Sequence, residues 1–74
     1  MTEIIFILDR SGSMEGLEAD TIGGFNSMMR KQASEPGDAL VSTLLFDNDV
    51  EVIHDRLNIK DVPEITSKEY YVRG

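Results

Sequence analysis

Residues 4–8 form an unbroken apolar run, and it ends abruptly in Asp9-Arg10-Ser11-Gly12-Ser13. A run of this length, rich in isoleucine, predicts a strand. Apolar residues at both parities predict burial on both of its faces. Such a strand needs a layer of structure above it and another below. The tight turn that follows sets one carboxylate and two hydroxyls at alternate positions around a glycine.

A helical pattern runs over residues 15–33, with Leu17, Thr21, Phe25, Met28 and Gln32 at three- and four-residue steps. Ser13 is the expected N-cap and Glu15 the expected acidic residue of the first turn. Met28 and Met29 read as core filler. Gly23-Gly24 in mid-helix costs about 1 kcal/mol per glycine against alanine, which a close approach to a sheet would explain. Pro36 and Gly37 end the helix. Residues 39–46 are a second apolar strand. Asp47-Asn48-Asp49 is turn chemistry, and residues 50–56 alternate as a third strand. On that alternation Val50, Val52 and His54 share one face, opposite Glu51, Ile53 and Asp55. The remainder is loop-like, with a short helical turn at residues 67–70. Tyr70 and Tyr71 are expected to pack on the sheet, and Arg10 to project into solvent.

The element order predicts an α/β fold with spatial strand order 3-2-1. The first two strands are parallel through a right-handed crossover, and the third is an antiparallel edge. One helix cannot cover both faces of this sheet, and the first strand keeps a bare edge. The expectation is one partial domain over residues 1–74, completed by the rest of a larger domain or by a partner chain. Self-association through the first strand is one such route.

With 74 residues, the chain exposes much of the surface it would bury in a larger domain. It has no cysteine, so neither a disulfide nor a thiolate metal site is available. Acidic residues outnumber basic ones 14 to 7, for a net charge of −7, which argues against a nucleic-acid partner. No apolar run reaches the roughly 20 residues of a membrane helix. The opening lacks a basic leader and a cleavage site, so a cytoplasmic location is expected.

Ligands of parallel α/β sheets bind beyond the carboxyl ends of the strands, where Asp9 falls. Asp9, Ser11 and Ser13 are hard oxygen donors suited to Mg²⁺. A helix N-terminus alongside would favour an anion. An ordinary strand–turn–helix junction would use the same residue types. Asp47 ends the parallel neighbour strand and could reach a metal-bound water, or serve only as a turn residue. His54 falls on a strand that runs away from Asp9, against a catalytic role. No phosphate-binding GxxxxGK[ST] loop is present.

"DRSGSM" after an apolar strand resembles the Asp-x-Ser-x-Ser motif of von Willebrand factor A domains, and "TIGGFNSMM", "LLFDNDVEVIHDR" and "YYVRG" are similar to a bacterial intracellular branch of that family. The resemblance implies the N-terminal half of a Rossmann-like domain with Asp9, Ser11 and Ser13 as the first three ligands of a metal-ion-dependent adhesion site. It implies Mg²⁺ or another divalent cation, completed by a carboxylate from another protein. It also implies that a threonine beyond Gly74 and a later aspartate complete the ligand set, so this chain alone should hold the ion weakly. The expected role is non-enzymatic protein binding. A Mg²⁺-dependent phosphohydrolase is the alternative, although Ser11 stands where such enzymes need a second acid. An assembly or scaffold role through the open sheet edge is another.

Overall fold

The computed structural model describes residues 2–72; Arg73 and Gly74, which close the "YYVRG" stretch, lie outside the described residues. β1 spans Thr2–Asp9, α1 Glu18–Ala33, β2 Ala39–Phe46 and β3 Val50–Asn58. Short 3₁₀ turns lie at Gly12–Met14 and Ile59–Asp61. The result is a small α/β unit with one helix on a three-stranded mixed sheet, in the order β1-β2-β3. β1 and β2 pair in parallel from Thr2 opposite Ala39 to Asp9 opposite Phe46. β2 and β3 form an antiparallel hairpin. At its turn the Asp47 amide donates to the Asp49 carbonyl (3.0 Å), and the Asp49 amide donates to Asp47 Oδ1 (2.8 Å).

The core lies on one side of the sheet. Phe25 and Met29 of α1 pack on Val41 and Leu45 of β2, joined by Ile59, Ile65 and Tyr70. Ile4, Phe6 and Leu8 of β1 contact this cluster. Phe6 meets the ring of Phe25 edge-on, with centroids 5.3 Å apart. The other side of β1 is bare: Ile5 is 67% exposed and Ile7 63%. Val50 and Val52 are exposed as well. Their register partners Phe46 and Leu44 continue the same surface, since paired residues share a face. Double-sided burial of β1 is therefore not met within residues 2–72.

Several expectations are corrected. The helix begins at Glu18 rather than near residue 15, because Gly16 sits at φ +90°, outside right-handed helical space. Ser13 is not its N-cap. Leu17 holds that position without a side-chain cap, and Glu18 Oε1 instead accepts from the Gly16 amide (2.7 Å). The buried stripe is Phe25, Asn26 and Met29, so Met28 is half exposed rather than core. A Cβ on Gly23 or Gly24 would meet nothing within 4 Å, so no close approach to the sheet accounts for either glycine.

β3 extends to Asn58, past the expected end at residue 56, and it does not alternate evenly. Leu44 pairs with Val52 but Thr43 pairs with His54, which leaves Ile53 as an extra residue. This bulge turns His54 to the helix side while Val50 and Val52 stay on the bare face. The three residues therefore do not share a face. A second irregularity puts Arg56 at φ +51°, with its amide donating to Ser42 Oγ (3.1 Å).

His54 is buried. Its Nδ1 lies 2.9 Å from Thr43 Oγ1, and its ring stacks on Phe25 at 6.1 Å. Burial pushes its pKa below the ordinary 6.5, with the Glu69 carboxylate opposing the shift. The unfolded chain binds a proton near pH 6.5, and the folded chain does so only at lower pH. Stability should therefore be full above pH 6.5 and fall as pH drops toward the folded value, by at most about 1.4 kcal/mol per pH unit. Urea unfolding at pH 7.5 and 5.5 checks this. A His54→Phe chain should lose that part of the slope, and an unchanged slope would remove His54 as its cause.

Candidate metal centre

β1 delivers Asp9 to the carboxyl end of the parallel pair, and the chain then leaves the sheet. The Arg10 amide still donates to the Phe46 carbonyl (2.8 Å), one last link to β2. The Ser11 amide turns back to donate to Asp9 Oδ1 (2.7 Å). Ser11 Oγ and Ser13 Oγ lie 2.9 Å apart. The Met14 amide closes the turn on the Ser11 carbonyl (2.9 Å). One aspartate carboxylate and two serine hydroxyls therefore share a single turn. Ser11 is still extended and Ser13 already lies in the 3₁₀ turn, so the chain bends at Gly12 and brings the two hydroxyls together.

The Ser11 hydroxyl, and then the Ser11 amide, hold the Asp9 carboxyl below its ordinary value, against a weaker opposing effect of burial. Asp9 is an anion at neutral pH. A carboxylate with two adjacent hydroxyls fits a hard divalent cation chemically. No cluster of three or more His, Cys, Asp or Glu occurs among the described residues, so carboxylate-rich or imidazole-rich coordination does not arise there. The residues after Ser11 wind into the 3₁₀ turn rather than into α1, so the expected helix N-terminus does not directly follow the motif.

The neighbours of this turn were only partly foreseen. Arg10 does not project into solvent; its side chain is fully buried. Its Nη1 donates to Glu51 Oε1 (2.6 Å), and its Nε lies 3.4 Å from Asp47 Oδ2. Its guanidinium sits 5.6 Å from the centroid of the Tyr71 ring. Asp47 thus serves both the hairpin turn and an ion pair. Tyr71 is partly exposed, whereas Tyr70 is completely buried and its hydroxyl donates to the Asp9 carbonyl oxygen.

The segment over residues 62–72 is fixed from α1. Asn26 Nδ2 donates to the Ile65 carbonyl and the Ile65 amide donates to Asn26 Oδ1, each at 2.9 Å. Arg30 pairs with Glu64, but both are exposed and the pair adds little. The Thr66 amide and hydroxyl donate to Glu69 Oε1 (2.7 and 2.9 Å), which stabilises the turn at residues 67–69. Those bonds hold the Glu69 carboxyl below its ordinary value. A shallow cleft of about 580 Å³ runs between Ile53, His54 and residues 63–69. His54 therefore faces this segment. Its partner Thr43 lies three residues along β2 from Phe46, the register partner of Asp9, or roughly 10 Å.

Asn26 is the buried residue that the periodicity passes over, whereas the expected packing of Tyr70 against the sheet is met. A polar amide inside the stripe Ile22–Phe25–Met29 is the sequence signal for the first, since a buried amide demands partners. No comparable signal marks the bond from the Tyr70 hydroxyl to the Asp9 carbonyl. No helix among the described residues is long and apolar enough to cross a membrane. No family model matches the chain, and neither a curated protein nor a solved structure matches it.

Proposed function

We propose that this chain is part of a von Willebrand factor A-type domain and serves as a non-enzymatic, metal-ion-dependent protein-binding module of the cytoplasm. The observation that carries this reading is the turn on which the Asp9 carboxylate adjoins the paired hydroxyls of Ser11 and Ser13. Asp9, Ser11 and Ser13 would hold Mg²⁺ or a similar dication. The ion would supply an open coordination position for a carboxylate of another protein. With one charged ligand among the three, affinity in this chain alone should be low.

Mn²⁺, a paramagnetic stand-in, tests this. Titration should broaden the amide resonances of residues 9–13 before any others, and Asp9→Ala should abolish the effect. Broadening spread over the acidic surface, or unchanged by Asp9→Ala, sinks the reading.

A second, compatible reading is self-association. β1 is an eight-residue edge strand, and its own Ile5 and Ile7 are exposed. Pairing with a second copy would satisfy that edge. Light scattering that reports a monomer at every concentration would remove this reading.

A further inference from the structure

Among the bonds described, those made within residues 9–14 are local: Ser11 amide to Asp9, Ser11 to Ser13, and Met14 amide to Ser11 carbonyl. Local bonds of this kind set a turn's shape but do not fix where it sits. β1 is the edge strand, so β2 supports it from one side only. Beyond the Arg10 amide's bond to the Phe46 carbonyl, two long-range side-chain contacts anchor the turn. The Tyr70 hydroxyl, 61 residues along the chain, donates to the Asp9 carbonyl. The Tyr71 ring lies against the Arg10 guanidinium, which Asp47 and Glu51 hold from the hairpin. Consecutive tyrosines thus grip consecutive residues at the root of the turn. Tyr70 is completely buried, and its segment is pinned by the paired bonds between Asn26 and Ile65.

We infer that Tyr70 is a positioning residue for the Asp9, Ser11 and Ser13 donor set: its hydroxyl fixes the Asp9 backbone, so that residues 62–72 brace the turn in a cation-ready shape. The cation part of this inference rests on the metal reading above, whereas the bracing part does not. Other buried groups in the segment, such as Ile65, serve the core alone. The effect of Tyr70 on the turn should therefore exceed that of an equally destabilising change at Ile65.

The test compares the 74-residue chain with Tyr70→Phe, which keeps the ring, and with Ile65→Val, which trims the same segment by one methyl group. The Ser11 amide proton, on a nitrogen 2.7 Å from the Asp9 carboxylate oxygen, should resonate downfield. In Tyr70→Phe it should move toward its unfolded position, and exchange of the Arg10 amide should quicken about tenfold. The Mn²⁺ concentration needed to broaden residues 11–13 should rise by about the same factor. Ile65→Val should leave the Ser11 resonance and the Arg10 exchange rate close to those of the parent.

The inference is overturned if Tyr70→Phe leaves both proton signals unchanged, or if Ile65→Val moves them equally. It is overturned as well if Tyr70→Phe unfolds the chain, since the hydroxyl would then serve the whole core. A parent chain that shows no Mn²⁺ broadening defeats the metal reading, while the two proton signals still decide the role of Tyr70.

Discussion

Asn26→Ala should lower the free energy of unfolding by about 3 kcal/mol, a large fraction of what a small domain typically has. The Asn26 amide is buried and makes two 2.9 Å bonds to the backbone of Ile65, which is itself buried. Truncation leaves an N–H and a C=O of Ile65 without partners, at about 1–3 kcal/mol for each group. Alanine's better helix propensity offsets only a few tenths of this. Asn26→Asp should also be costly, because it removes the donor to the Ile65 carbonyl and buries a charge. Urea unfolding followed by circular dichroism measures the change. A loss below 1 kcal/mol for Asn26→Ala would mean that water replaces the amide and that the segment is not held as described.

Asp47→Ala should cost about 3 kcal/mol by a different route. Arg10 is a fully buried cation, and Asp47 is its buried counter-ion, whereas Glu51 is half in water. Removing Asp47 leaves a desolvated guanidinium facing one solvated carboxylate, the situation in which breaking a buried pair is most expensive. Arg10 Nε and Nη2 already lack hydrogen-bond partners among the described residues, so little is in reserve to compensate. Asp47→Ala also deletes the acceptor for the Asp49 amide in the hairpin turn. Asp47→Asn should retain that turn bond and cost less. Adding Arg10→Leu to Asp47→Ala should recover most of the loss, since the stranded charge goes with it. If the double variant is as unstable as the single one, the ion pair is not the origin of the effect.

What the sequence reveals about this molecule divides by the range of the interactions involved. β1 and β2 are legible because each is a continuous apolar run, and the hairpin because Asp47-Asn48-Asp49 is a local turn signal. The candidate site is legible for the same reason: Asp9, Ser11 and Ser13 need only one turn to meet. The start of α1 is misread because a glycine's φ is not written in its pattern, and Gly16 adopts +90°. The face of His54 is misread because a bulge at Ile53 is decided by pairing with β2 rather than by β3 itself. Arg10 reads as solvent-facing because the residues that enclose it come from the hairpin and from the far end of the chain. Helical periodicity locates a buried stripe but misses its centre, so Met28 is taken inward and Asn26 is passed over.

The one-sided cover of the sheet has a consequence for how this molecule comes apart. Val41, Thr43 and Leu45 rest beneath a single roof made of α1 and residues 62–72, and each half of that roof is hooked to the other through Asn26. If either half lifts, the middle strand is wetted from above while its neighbours Ile5, Ile7, Val50 and Val52 already meet water from below. The cheapest local opening and complete melting should therefore lie close together in free energy, with no sturdy remnant between them.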